Sequence, residues 1–274
     1  MSRATVTDLV VYPVKSCRGI ALEEATIGSG GIEGDRRWMI VNEAGRYMTQ
    51  RELPRMATIV PTLCAGTLSL TAPGMPPMEV PDVPDAPVLQ VTVMTFRCTA
   101  VDAGARPAEW LSQFLGRPVR LVRFDPQVVR PVDPQFWQGD IETRVAFPDA
   151  FPLLIIARKS LDDLNSRLET PLPMNRFRPN VVLEGLEPYE EDRIDELRAG
   201  SLRLQMARPC TRCKITTTDQ LTGEVSPAAE PIATLRRYRW NPEIRGVMFG
   251  HYAVVAEGVG GRLRRGEPLE ITYK

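Results

Sequence analysis

The chain has 274 residues, 43% hydrophobic and 25% charged, an ordinary globular balance with room for two modest domains and a sizeable core. Its 34 basic residues match its 34 acidic ones, which removes any global electrostatic case for nucleic acid or an anionic membrane as the main partner. One histidine, His251, excludes by count the histidine-rich metal sites and the His-Glu-x-x-His helix, so any metal here must use sulfur or oxygen.

In chain order, the N-terminus "MSRATVTDLVVYPVKS" has no continuous apolar run and no small-residue cleavage site. Nothing later approaches the roughly 20 apolar residues of a membrane span, so a cytoplasmic protein with no membrane contact is expected. "VTDLVVYPVKS" reads as a strand ended by Pro13, and "RRWMIVNEAGRYMTQ" as a hairpin turning at Asn42 to Gly45. Short strands continue to about residue 103, broken by a proline cluster at 73–87 that reads as loop. "RPAEWLSQFLG" places Trp110, Leu111, Phe114 and Leu115 at helical spacing and stops at Gly116. The polar, proline-interrupted stretch 125–152 reads as a linker or an active-site loop.

A second module opens on the apolar strand "PLLIIA", followed by a helix starting in a capping box from Ser160 to Asp163, with Leu161, Leu164 and Leu168 on one face. Strands return in "NVVLEG", "SLRLQMA" and "CKITTTD", then a short helix "IATLRRYR" and the strands "HYAVVAEGV" and "EPLEITYK". The expected fold is α+β and mostly β: a β-rich N-terminal module, residues 1–120, packed on a β-barrel-like domain with a few helices, residues 121–274.

The five cysteines are odd in number and dispersed, which favours reduced thiols over a disulfide framework. Cys210 and Cys213 form a Cys-x-x-Cys, yet Cys17, Cys64 and Cys98 are too scattered to complete a zinc site. A thioredoxin-like pair needs a helix start, and the β-branched "CKITTTD" reads as a strand. Two readings stay open: a thiol at a strand entrance whose neighbours Arg208, Arg212 and Lys214 favour the thiolate, or two small buried residues beside exposed bases. Lys15, Ser16 and Arg18, then Arg36 and Arg37, then Arg176, Arg178 and Asn180 likewise stand at predicted strand edges. Together they suggest a phosphate site. His251 lies in a strand-like run and reads as a packed residue. Asp219 and Glu224 are the acidic residues nearest the pair downstream and read as turn residues.

"YPVKSCRG", "GDRRWMIVNEAGRYMTQRELPR", "FRPNVVLEG", "PCTRCKITTTDQLTGE" and "FGHYAVV" follow, in order, the signature of the MOSC-domain molybdenum proteins. The chain resembles this family from about residue 5 to 272, and within it the amidoxime-reducing component and the bacterial reductases of N-hydroxylated bases. The resemblance implies a molybdenum-molybdopterin enzyme in which Cys210 is catalytic and ligates the metal. Lys15, Ser16, Arg36, Arg178 and Asn180 would hold the pterin and its phosphate, and Cys213 would be a neighbour. It further implies reduction of hydroxylaminopurines, amidoximes or hydroxylamines in a detoxifying role. No Cys-x4-Cys-x2-Cys run is present, so electrons are expected from a separate donor protein such as a flavin reductase or ferredoxin. The kinship of the domain with sulfurase C-terminal regions implies an alternative, a persulfide or cofactor carrier that transfers sulfur through Cys210.

Overall fold

The computed structural model of the chain describes residues 2–64, 66–81, 86–137, 139–141 and 143–274. Strands dominate and helices are few, as an α+β, mostly β protein requires. Seven strands close into a barrel in the order Leu153–Ala157, Val181–Glu184, Ser2–Val11, Pro268–Tyr273, Ile194–Ala199, Leu202–Thr211 and Gly246–Glu257, the last pairing back onto the first. Only Leu153–Ala157 against Val181–Glu184 is parallel among these pairs. That connection carries a helix, Arg158–Asn165, as a parallel crossover needs.

The first strand shows how the barrel reads the sequence. Ala4 and Val6 are buried, then Leu9 and Val11, so the inward parity changes midway. A register shift between Val6 and Asp8 supplies the extra residue, a bulge that keeps both apolar pairs inside. Those four join Leu153, Ile155, Val181, Leu183 and their neighbours in the barrel core. The chain's first strand thus belongs to a sheet built mostly from its last hundred residues.

The N-terminal half also holds a four-stranded sheet, Trp38–Val41, Arg120–Phe124, Phe96–Asp102 and Val88–Val93 in that order, beside smaller sheets, with the helix Ala105–Leu115 packing Trp110, Leu111, Phe114 and Leu115 onto Ile40, Met56 and Leu121. The turn at Asn42 is real: its Oδ1 accepts from the amides of Ala44 and Arg46, and a Cβ on Gly45 would lie 2.3 Å from the Gln90 carbonyl. The hairpin's second arm is short. Trp38–Val41 takes Arg120–Phe124 as its ladder partner, and residues 46–48 return along it through a bridge from Tyr47 to Val41 and the bonds Asn42 N to Arg46 O at 2.9 Å and Met48 N to Ile40 O at 2.8 Å, while Arg46 also bridges Thr92. Within the proline cluster Met78–Glu79 is a short strand against Thr67–Thr71; residues 82–85 lie outside the described residues. The stretch 125–152 carries no strand or helix among its described residues, which exclude 138 and 142.

Two local expectations are overturned. "CKITTTD" is not a strand: Lys214–Thr217 is a 3-10 turn, because the barrel strand ends at Thr211 and the Thr216 and Thr217 hydroxyls satisfy the carbonyls of Cys213 and Lys214. The capping box at Ser160 is absent. The helix starts at Arg158 without a side-chain cap, and Ser160, inside it, faces the buried Glu191, 2.9 and 2.8 Å from the two carboxyl oxygens.

Burial pushes the Glu191 carboxyl up to about 7, against the Ser160 hydrogen bond that favours the charged form. The folded protein therefore keeps this proton from the ordinary value of 4.5 up to about pH 7, where the unfolded chain has released it. Stability is expected to fall as pH rises through that window, by on the order of 3 kcal/mol. Unfolding in denaturant at a series of pH values checks this: Glu191→Gln should flatten the slope, and an unchanged slope would assign it to other groups.

Candidate functional site

Cys210 stands one residue before the end of the barrel strand Leu202–Thr211, at its exit rather than at a strand entrance. Register shifts on either side of Arg208 and Pro209 against Gly246–Glu257 break the simple alternation. The thiol is left buried, 2% exposed, at a cavity with about 120 Å³ enclosed that opens to solvent. The same cavity is lined by Lys15, Ser16, Arg36, Arg178 and Asn180. Three separate stretches of sequence thus share one cavity with the thiol. Four cations, Lys15, Arg36, Arg178 and Arg212, line it against one carboxylate, Asp149, which makes the cavity anion-attracting.

The backbone aims three of these residues. Ser16, Arg36 and Arg178 have φ of 66°, 45° and 55°, left-handed conformations that cost on the order of 1–3 kcal/mol each outside glycine. Main-chain hydrogen bonds hold them: Arg36 N to Tyr12 O at 2.7 Å and Arg178 N to Asn175 O at 3.2 Å, with Lys15 N to Trp38 O at 2.8 Å beside Ser16. The Arg36 and Arg178 guanidiniums lie over the Tyr12 ring, 4.3 and 4.2 Å from its centre. Burial lowers Arg178 to about 10 and raises the Tyr12 hydroxyl to about 12.

Behind this front a second set of side chains fixes the first. Asp35 is buried and paired with Arg36 Nη1, and its other oxygen accepts from Tyr12 N at 2.9 Å and Asn180 Nδ2 at 3.2 Å. Asn180 Oδ1 accepts from Arg36 Nη1 at 3.1 Å and Leu154 N at 3.2 Å, while Nδ2 also donates to Val10 O. Its polar atoms are engaged within the protein, which makes Asn180 a clip on Arg36. Arg178 Nη1 donates to Cys17 O at 2.6 Å. Lys15 donates to Phe147 O at 2.7 Å and pairs with Asp149. Burial would raise the Asp149 carboxyl, but the Lys15 ammonium, together with Arg51 and Arg36, outweighs it and holds the group below its ordinary range, as an acceptor.

Asp149 and Tyr252 were not singled out from sequence. The one signal for Asp149 was its place in the proline-punctuated stretch 125–152, and Tyr252 gave none, since it reads as an ordinary strand residue. Asp219 is the turn residue expected: its Oδ1 caps the amides of Leu221 and Thr222, and Oδ2 pairs with Arg176. His251 is fully buried, donates from Nδ1 to Tyr252 O at 3.0 Å, and is pushed down to about 4 by burial; it does not line the cavity. All five cysteines are free thiols. Among the described residues no group of three or more His, Cys, Asp or Glu side chains converges to hold a bare ion.

Residues 3–118 match the MOSC N-terminal beta barrel domain and residues 142–270 the MOSC domain. Over 97% of its length the chain is 36% identical to mitochondrial amidoxime-reducing component 1 of Homo sapiens and 35% identical to that of Mus musculus, covering 82% of each relative. The Xenopus laevis protein of the same name is 34% identical over 98% of the chain. The chain belongs to the family of the amidoxime-reducing components. These relatives carry mitochondrial names, which corrects the cytoplasmic expectation: the lack of an apolar run does not assign a compartment. No helix among the described residues is long and apolar enough to cross a membrane.

Proposed function

We propose that the protein is a molybdenum-molybdopterin oxidoreductase that reduces N-hydroxylated small molecules, such as hydroxylaminopurines, amidoximes and hydroxylamines, with electrons from a separate donor protein. The observation that carries this reading is the buried Cys210 thiol in a cavity shared with Lys15, Ser16, Arg36 and Arg178. The donor set suits that cofactor: one soft sulfur for the metal, cations and a hydroxyl for a phosphate, and no protein cage that could hold a bare ion among the described residues. The cavity measures about 120 Å³. Ligand sites usually measure roughly 300–1,000 Å³, so the open mouth is part of the site.

When bound, molybdenum on its pterin supplies the two-electron chemistry that cleaves an N–O bond. The net change consumes two electrons and two protons, turning an N-hydroxyl into N–H and water. Each part of the cavity has a role in this. Cys210 is the metal's protein ligand. Arg36, oriented by Asp35 and Asn180, and Arg178, stacked on the same tyrosine, grip the anionic end of the cofactor with Lys15 and Ser16. Asp149, kept ionised, accepts hydrogen bonds from the N–H and O–H groups of a substrate entering at the mouth. The Tyr252 hydroxyl, held protonated by burial first and the nearby sulfur second, remains a donor.

Elemental and pterin analysis of the purified protein tests this, with about one molybdenum and one pterin per chain expected. Active protein without metal, whose activity tracks cyanide-labile sulfur, would replace this reading with the sulfur-carrier one.

A further inference from the structure

Arg212 follows Cys210 by two residues and turns back onto it. Its backbone amide is tied to Val247 O at 2.7 Å. Its Nη1 lies 2.9 Å from Cys210 Sγ, and its Nη2 donates to Phe177 O at 2.5 Å. The guanidinium carbon sits 5.5 Å from the centre of the Phe177 ring, itself stacked on Phe249 at 4.1 Å. From the adjacent strand, Tyr252 lines the same cavity as the Cys210 sulfur. Two side chains that carry donors thus share the cavity with one thiol.

A buried guanidinium needs an anionic or strongly accepting partner. The Cys210 sulfur, 2.9 Å from Nη1, is that partner. The fork is also committed to this use. Its Nε is buried without a hydrogen-bond partner, so the side chain forgoes one donor to place the other two on the sulfur and the Phe177 carbonyl.

We propose that Arg212 and Tyr252 are positioning residues that fix the direction of the Cys210 sulfur and set the reduction potential of the metal it ligates; this rests on the molybdenum reading above. Hydrogen bonds and positive charge at a ligating thiolate withdraw electron density from sulfur, which favours the reduced metal. The pair makes the centre easier to reduce by a protein donor. Its two members act from different strands, so the effect should be separable.

The test is a redox titration of the loaded enzyme followed by the electron paramagnetic resonance of molybdenum, in wild type, Tyr252→Phe and Arg212→Gln. Each sample is first assayed for molybdenum and pterin. Both variants are expected to shift the midpoint potentials to more negative values and to change the molybdenum spectrum, Arg212→Gln more strongly because it removes charge as well as a donor. Arg212→Lys should recover part of the potential through its charge but not the spectrum, because an ammonium cannot span sulfur and carbonyl as a planar fork does. Should Arg212→Gln lose its metal, Tyr252→Phe alone decides. Unmoved potentials and spectra in metal-loaded Tyr252→Phe overturn the proposal and leave the function standing. Wild-type protein without molybdenum overturns both.

Discussion

Replacing Cys210 by serine is expected to abolish reduction of N-hydroxylated substrates, while Cys213→Ser keeps activity within a few-fold of wild type. The two thiols stand three residues apart but in different surroundings. Cys210 is buried at the cavity with Arg212 Nη1 2.9 Å away. Cys213 lines the same cavity but is exposed, and its contact with Arg51 Nη1 is a long one, 3.7 Å. Loss of supporting groups around a metal typically costs 10–100-fold, so loss of the metal's own protein ligand should cost more than about 100-fold. Steady-state reduction of an amidoxime with an artificial electron donor, with metal content in parallel, measures both variants. Equal and complete loss in the two, in folded protein, would point to a dithiol pair and remove the single-ligand assignment.

The second large effect is on cofactor retention. Arg178→Ala and Lys15→Ala should each lower molybdenum and pterin occupancy about tenfold or more, since a charge-assisted hydrogen bond contributes ~1.5–3 kcal/mol. Activity per bound molybdenum should change far less. Both residues also have internal partners, Cys17 O for Arg178 and Phe147 O with Asp149 for Lys15, so thermal unfolding must accompany the assay. A variant that is folded and fully loaded would show its cation to be a structural tie and nothing more. Lys15→Ala leaves Asp149 without its nearest cation, so of the two it should be the less stable.

The amino-acid sequence by itself determined the local elements whose signal is local. The helix Ala105–Leu115 follows from apolar spacing and a left-handed Gly116 at its end; the Asn42 to Gly45 turn follows from side-chain capping that needs no distant partner. It also carried the types of residue in the site, a thiol and scattered bases, and their order along the family signature. Only the tertiary structure decided what those residues face. The barrel closes because Leu153–Ala157 bonds to strands on both sides, one of them at the far end of the chain, and no periodicity encodes a partner's identity. Ser160 looked like a cap because it suits one, yet the buried Glu191 claimed it. "KITT" has strand propensity but no neighbour to pair with once the barrel strand ends, and β propensity acts through pairing and burial. Asp149 and Tyr252 carry little mark of a role in sequence for the same reason. Their chemistry comes from long-range contacts: Lys15 beside Asp149, and for Tyr252 the pairing of its strand with the one that carries Cys210.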